Sequence, residues 1–330
     1  LVLDGAEGQA DDLSRRLSDV AAVYDSVSAA ADESRGRLGD ISGILEELIQ
    51  AAERERAEAA MQKTAVENII SVSAQHAKET NDVLDTVLSK ILGDPIGQTF
   101  GKRATVKVFS LKEAGYRGYM AKVKLHDPTA VRLVLAGDKV GHQGETTSAA
   151  AKRTGAVLAV NGGGFAKGED GLLYPMGITV VDGEIVSFYR TDLSFIGFNK
   201  QGNLVGGEIT TREQIKELGI MHGATFVPTL LKDGKKVAIP SRYAGKREPR
   251  TMIGHFSNGD LLFIVIDGRQ KGSSGVTLEE AQDKLLEFNV RDAYNLDGGG
   301  SSTFVYNNKV LNSPSDGKER KVVSNIVILP

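Results

Sequence analysis

The sequence predicts an α+β protein, in which a mixed-sheet catalytic domain follows a long α-helical coiled coil, and three observations carry that prediction. A heptad repeat runs through the first part of the chain, composition shifts sharply near residue 95, and short β-branched runs beyond that point end in a polar residue followed by glycine. The shift is large. Residues 1–95 hold 9 Lys+Arg against 19 Asp+Glu, whereas the rest of the chain holds 31 against 24. Tyr24 is the sole aromatic residue before Phe100, and 6 of 38 glycines precede residue 96. An acidic, Ala-rich segment without aromatics cannot fill a compact core; a Gly-rich segment with many apolar runs can. Two regions are therefore expected, 1–95 and 96–330.

In the first region, apolar or small residues recur at alternating spacings of three and four: Leu17, Val20, Tyr24, Val27, Ala31, Leu38, Ile41, Leu45, Leu48 and onward to Val83 and Val87. A 3.5-residue period held over about ten heptads keeps one seam facing a partner. It predicts a helix about 110 Å long and a homo-oligomer, taken as a parallel trimer, through residues 13–92. Ser34, Glu55, Gln62, Ser73, His76 and Thr80 fall in the seam, where polar groups set register and oligomer number, and His76 reads as structural. The competing arrangement is a hairpin hinged at Gly36 and Gly39, since glycine disfavours helix by about 1 kcal/mol each. Gly93-Asp94-Pro95-Ile96-Gly97 ends the helix and sets the expected boundary.

Beyond Phe100, runs at 131–135, 157–160, 178–181, 261–266 and 322–329 read as strands separated by turns. Helices are expected at 211–218 and from Thr277, where Thr277 and Glu280 form a capping box ahead of Leu278, Ala281, Leu285 and Phe288. Lys232 to Lys236, around Asp233-Gly234, reads as a solvated hairpin.

Composition excludes several classes of chemistry. With no cysteine, thiol catalysis, disulfides and thiolate metal sites are all absent. No run approaches the ~18 apolar residues of a membrane span, and the chain opens without a basic leader. The modest positive balance of the second region suits an anionic substrate, but no basic–aromatic stripe accompanies it, so nucleic acid is not expected.

Three apolar runs finish with a polar residue and glycine: Val160-Asn161-Gly162-Gly163-Gly164, Ile266-Asp267-Gly268-Arg269, and Leu296-Asp297-Gly298-Gly299-Gly300-Ser301-Ser302. A single Asp-Gly is usually a tight turn. Triple glycine is more than a turn requires; it is expected to expose backbone N–H groups and admit an anion closely.

These segments resemble the phosphodiester glycosidase family, which includes the lysosomal uncovering enzyme, N-acetylglucosamine-1-phosphodiester alpha-N-acetylglucosaminidase. The resemblance rests on Arg-Glu-Pro-Arg-Thr-Met-Ile-Gly from Arg247, Ile-Asp-Gly-Arg-Gln, Asn-Leu-Asp-Gly-Gly-Gly-Ser-Ser-Thr and Arg-Lys-Val-Val-Ser-Asn-Ile-Val, in that order. It extends upstream through Gly144-Glu-Thr-Thr-Ser, Ala159-Val-Asn-Gly-Gly-Gly-Phe, Pro175-Met-Gly and Pro228-Thr-Leu. One departure is Asn161-Gly-Gly-Gly-Phe, where Asn-Gly-Gly-Phe-Phe is expected. The resemblance does not reach the helical region.

It implies a hydrolase that cleaves the glycosyl–phosphate bond of sugar-1-phosphodiesters. A phosphate leaving group needs little proton donation and much charge complementarity, so Arg250 and Arg269 are the expected phosphate partners. Asp297 and Asp267 are the candidate carboxylates at the anomeric carbon. Asn161, Gly162, Gly163, Gly298, Gly299, Gly300, Ser301, Ser302 and Asn325 complete the expected substrate contacts. No cofactor is implied. His126, His142, His222 and His255 are isolated, which argues against a metal-dependent phosphodiesterase cutting the P–O bond; Ca or Mg held by Asp, Asn and backbone oxygens is the one metal alternative. Joined to an oligomeric stalk, such heads suit a repeating cell-surface polymer such as teichoic acid. The expectation is an extracellular or virion-associated protein, either tail-associated in a phage or a secreted bacterial wall enzyme. The rival is a carbohydrate-binding head without turnover.

Overall fold

A computed structural model describes the backbone from Leu3 to Pro330, with the side chains of residues 1–11, 73, 74, 76–78 and 80–82 excepted. The seam residues Ser73, His76 and Thr80 are thus outside the described side chains. Helix α1 (Leu3–Leu92) is continuous through Gly36 and Gly39, so the hairpin is not adopted. Ion pairs one turn apart, such as Asp32–Arg35 and Glu33–Arg37, support its surface. The seam residues Leu17, Leu38, Leu45 and Leu48 are all more than half exposed along one chain. Among the described residues no helix is long and apolar enough to cross a membrane.

The chain divides into two compact units, 1–76 and 77–330, so the final turns of α1 belong to the second unit, ahead of the boundary expected at residue 95. The register explains this. Val83 continues the exposed seam, whereas Leu84 and Leu88, on another face, are buried in a cluster with Phe109, Met120, Leu262 and Ile264. Asp85 accepts from Lys107 (2.5 Å) and from Lys122 (2.6 Å), and Lys122 also reaches Asp260 (3.0 Å).

The second unit is built on an eight-stranded sheet whose centre is Tyr116–Leu125, Leu261–Ile266, Arg250–Phe256 and Val290–Asn295. Period-two alternation divides its side chains between two cores. Leu261, Phe263 and Val265 face a core shared with Leu158, Val160, Ile326 and Ile328, while Leu262, Ile264 and Ile266 face α4 (Leu278–Glu287). The Thr277–Glu280 capping box opens α4, as the sequence requires.

A five-stranded sheet centred on Leu158–Asn161 and Ser324–Ile328 packs across the first core, its outer face covered by α2 (Thr147–Thr154). Another five-stranded sheet carries Ile178–Val181, Ser194–Asn199 and Ile220–Phe226, with α3 (Arg212–Glu217) against it. The Lys232–Lys236 stretch is the expected hairpin, Lys232 pairing with Asp292.

Candidate active site

Two strand ends from different sheets meet at Asp297. Leu296 continues the Val290–Asn295 strand and donates to Thr251 O (2.8 Å), and Asp297 N then donates to Gly162 O (3.2 Å), just past the Leu158–Asn161 strand. Asn161 locks this junction. Its Nδ2 donates to Asp297 O, while its Oδ1 accepts from Thr251 Oγ1 (2.7 Å) and Thr303 N (3.1 Å). Fully buried and bonded at both ends of its amide, Asn161 positions the Asp297 backbone; it is not exposed as the expected substrate contact.

The Asp297 carboxyl is pushed up to about 6 by burial, against the opposing pull of the Ser301 hydroxyl, the Arg320 charge and the Gly298 N–H. Ser301 Oγ also accepts from Arg320 Nη1 (3.4 Å), and Arg320 Nη2 pairs with Asp316 (2.7 Å). A side chain at Gly300 would collide with both Arg320 and Asp316, so glycine lets that pair lie on the backbone. Gly299 has φ +59, and a Cβ there would sit 3.4 Å from Arg269 Nη1 and Nη2. Two guanidinium groups therefore flank the glycine segment beside Asp297.

The glycines act differently from the expectation. The N–H groups of Gly162, Gly164 and Gly299 donate to Ser324 O, Thr225 O and Pro249 O, and Gly163 N donates to Ser324 Oγ. These four amides are consumed by close packing and are not an open anion nest. The unexpected third glycine has a related cause: a Cβ on Gly164 would meet the Phe226 ring at 2.9 Å, so this chain brings an aromatic to that spot from another strand.

Most of the other expected residues are engaged with partners of their own. Asp267 is 2% exposed; Oδ1 accepts from Asn312 (3.1 Å) and Ser313 N (2.9 Å), and Oδ2 from Arg117 (3.4 Å). Arg250 points its guanidinium at backbone carbonyls, Val276 O (3.2 Å) and Lys246 O (2.7 Å), and burial disfavours its charged form. Ser302 and Asn325 are buried; Asn325 accepts from Thr147 Oγ1 (2.7 Å). Arg269 is half exposed and paired with Glu248. Sequence reasoning assigned no role to Arg320 or Asp316. The signal was present in part, because Arg320 opens the Arg-Lys-Val-Val-Ser-Asn segment, but nothing in the sequence placed it over Gly300. Among the described residues no group of three or more His, Asp or Glu could hold a metal ion.

The fold is that of a known glycosidase catalytic domain. The zebrafish N-acetylglucosamine-1-phosphodiester alpha-N-acetylglucosaminidase catalytic domain, auto-inhibited by its pro-peptide, superposes with a TM-score of 0.59 at 23% identity, covering 70% of this chain and 85% of that one. A hypothetical protein from Synechocystis gives 0.51 at 14% identity, covering 72% and 64%. The chain belongs to the phosphodiester glycosidase family, whose family model matches residues 154–329. It is 31% identical over 193 residues to the SPbeta prophage-derived uncharacterized protein YomE of Bacillus subtilis, covering 56% of this chain and 29% of that protein. It is 30% identical over 188 residues to the bovine N-acetylglucosamine-1-phosphodiester alpha-N-acetylglucosaminidase, covering 52% and 35%. The chain thus spans about a third of the length of these relatives.

Proposed function

We propose that the second unit hydrolyses sugar-1-phosphodiesters at the glycosyl–phosphate bond, with Asp297 acting at the anomeric carbon. The observation that carries this reading is one partly buried carboxyl, raised to about 6, beside a glycine segment against which the guanidiniums of Arg320 and Arg269 lie. A phosphate leaves without a proton, so Asp297 works as the carboxylate, either attacking or stabilising an oxocarbenium-like carbon or activating water. Arg269 and Arg320 neutralise the departing phosphate, and Asp316 and Glu248 hold those two guanidiniums in place. Asp267 and Asn161 serve as positioning residues. Hydrolysis in oxygen-18 water tests the bond assignment: the label is expected on the sugar, with unlabelled phosphomonoester. Label on the phosphate would overturn it.

The substrate we assign is a repeating glycosyl-phosphate polymer of a cell surface, such as teichoic acid, and the protein is placed outside the cell or on a virion. Support comes from membership of this family, the prophage origin of one relative, and the exposed heptad seam of α1. A second copy of the same helix is the occupant this seam fits, because its 3.5-residue period is self-complementary. Association as a parallel trimer through residues 13–92 raises the effective concentration of heads on a repetitive polymer. Sedimentation equilibrium of the full chain is expected to give three copies; a monomer would remove the coiled coil from this account.

A further inference from the structure

We propose a second ligand site, remote in its lining from Asp297, that takes a short phosphorylated polyol. A cavity of about 140 Å³ lies where the Val131–Leu135 strand, the edge of its sheet, meets the Ser194–Asn199 and Ile220–Phe226 strands of the neighbouring sheet. Arg132, Lys200, Asp182 and His222 supply its polar lining, and Phe198 and Met221 part of its apolar wall. That volume is well above the roughly 10–15 Å³ that a single water needs, room for a short chain and its phosphate.

The chemistry of the walls selects the ligand. Arg132 Nε is buried without a hydrogen-bond partner, an uncommon condition for a guanidinium N–H that lines a cavity. His222 is 6% exposed, and its Nδ1 accepts from Asp182 N (3.4 Å), which leaves the proton on Nε2, 3.6 Å from Asp182 Oδ1. The ring is thus a fixed neutral donor. Two permanent cations and this donor call for an anion, whereas the Asp182 carboxylate calls for a hydroxyl. Phe198 and Met221 offer a surface to carbon. A phosphate alone leaves Asp182 opposed to it and the apolar wall unused; a neutral polyol leaves Arg132 and Lys200 uncompensated. One molecule with a phosphate at one end and hydroxyls along a short carbon chain meets all of these.

Methionine methyl resonances distinguish this site from the Asp297 site. Met221 lines the cavity, while Met176 lies by Gly164, in the segment that follows the Asp297 contact at Gly162. In full-length protein labelled at the methionine methyls and assigned with Met221→Leu and Met176→Leu, glycerol 3-phosphate is expected to shift Met221 saturably and leave Met176 in place. Affinity should exceed that for inorganic phosphate or glycerol at least tenfold. Arg132→Gln and Lys200→Gln should each weaken it at least tenfold while the other methionine signals stay at their native positions. Asp297→Asn should bind unchanged, so the outcome is independent of the proposed hydrolysis. No saturable Met221 shift, equal binding of inorganic phosphate, or a shift confined to Met176 would overturn the proposal.

Discussion

Asp267 and Asp297 both stand just past a strand and are each followed by glycine, yet their surroundings differ. Asp267 is buried with three donors, Asn312, Ser313 and Arg117, spread over its two oxygens. Asp297 is partly exposed, and the Ser301 hydroxyl, the Arg320 charge and the Gly298 N–H do not offset its desolvation, so its charged form is disfavoured. On the proposed mechanism the first arrangement serves the fold and the second holds the reactive group. A strand end that delivers a carboxylate is therefore not yet a catalytic position. What decides is how completely the protein satisfies the carboxylate's oxygens.

Substitution of each aspartate by asparagine gives the largest test of this contrast. Asp297→Asn is expected to lower turnover of a glycosyl phosphodiester at least about 1,000-fold, in the range of lost transition-state stabilisation at such groups. Its folding should not suffer. The folded pKa near 6 lies above the 3.8 of an ordinary aspartate, so the stability linked to this proton is full below about pH 4 and is lost as pH rises through 6. Asparagine does not ionise, so above pH 6 the variant should gain on the order of 2–3 kcal/mol, read from urea midpoints. For the wild type, kcat/KM should rise with pH through about 6 and then level. Asp267→Asn should do the reverse, losing about 1.5–3 kcal/mol of stability with turnover within a few-fold of wild type. A destabilised Asp297→Asn, or a stable and inactive Asp267→Asn, breaks the comparison.

The same lesson applies along α1, where Val83 is exposed and Leu84 and Leu88 are buried against the sheet. A chain beginning at Ile96, the boundary set by composition, uncovers Phe109 and Met120 and deprives Lys122 of Asp85. Burying two leucines contributes roughly 3–6 kcal/mol at 1.5–3 each. A chain beginning at Ala77 should melt as the full-length second unit does, and one beginning at Ile96 well below it or aggregate. Equal melting would show that the last turns of the helix are dispensable.

Smaller effects sharpen the arginine assignment. Arg320→Ala and Arg269→Ala should each reduce kcat/KM about 10- to 100-fold, through loss of charge complementarity to phosphate. Arg250→Ala should act mainly on stability, because its guanidinium serves the carbonyls of Val276 and Lys246. Paired kinetics and urea melts on the three variants separate the roles; a catalytic defect confined to Arg250 would restore the original assignment.

Sequence by itself determined the continuous helix, the β-branched strands, the Thr277–Glu280 cap and the family, because each depends on neighbours a few residues apart or on a motif read in order. It also singled out Asp297, whose Gly-Gly-Gly-Ser-Ser context exceeds the needs of a turn. Tertiary structure alone decided which carboxylate has its charged form disfavoured, that Asn161 is spent on Asp297 O, Thr251 and Thr303, that Arg320 lies over Gly300, and that Leu84 and Leu88 belong to the domain. The physical reason is common to all four. Desolvation and hydrogen-bond satisfaction are set by atoms far apart in the chain, 136 residues in the case of Asn161 and Asp297, and no local pattern encodes which distant donor or guanidinium will be there.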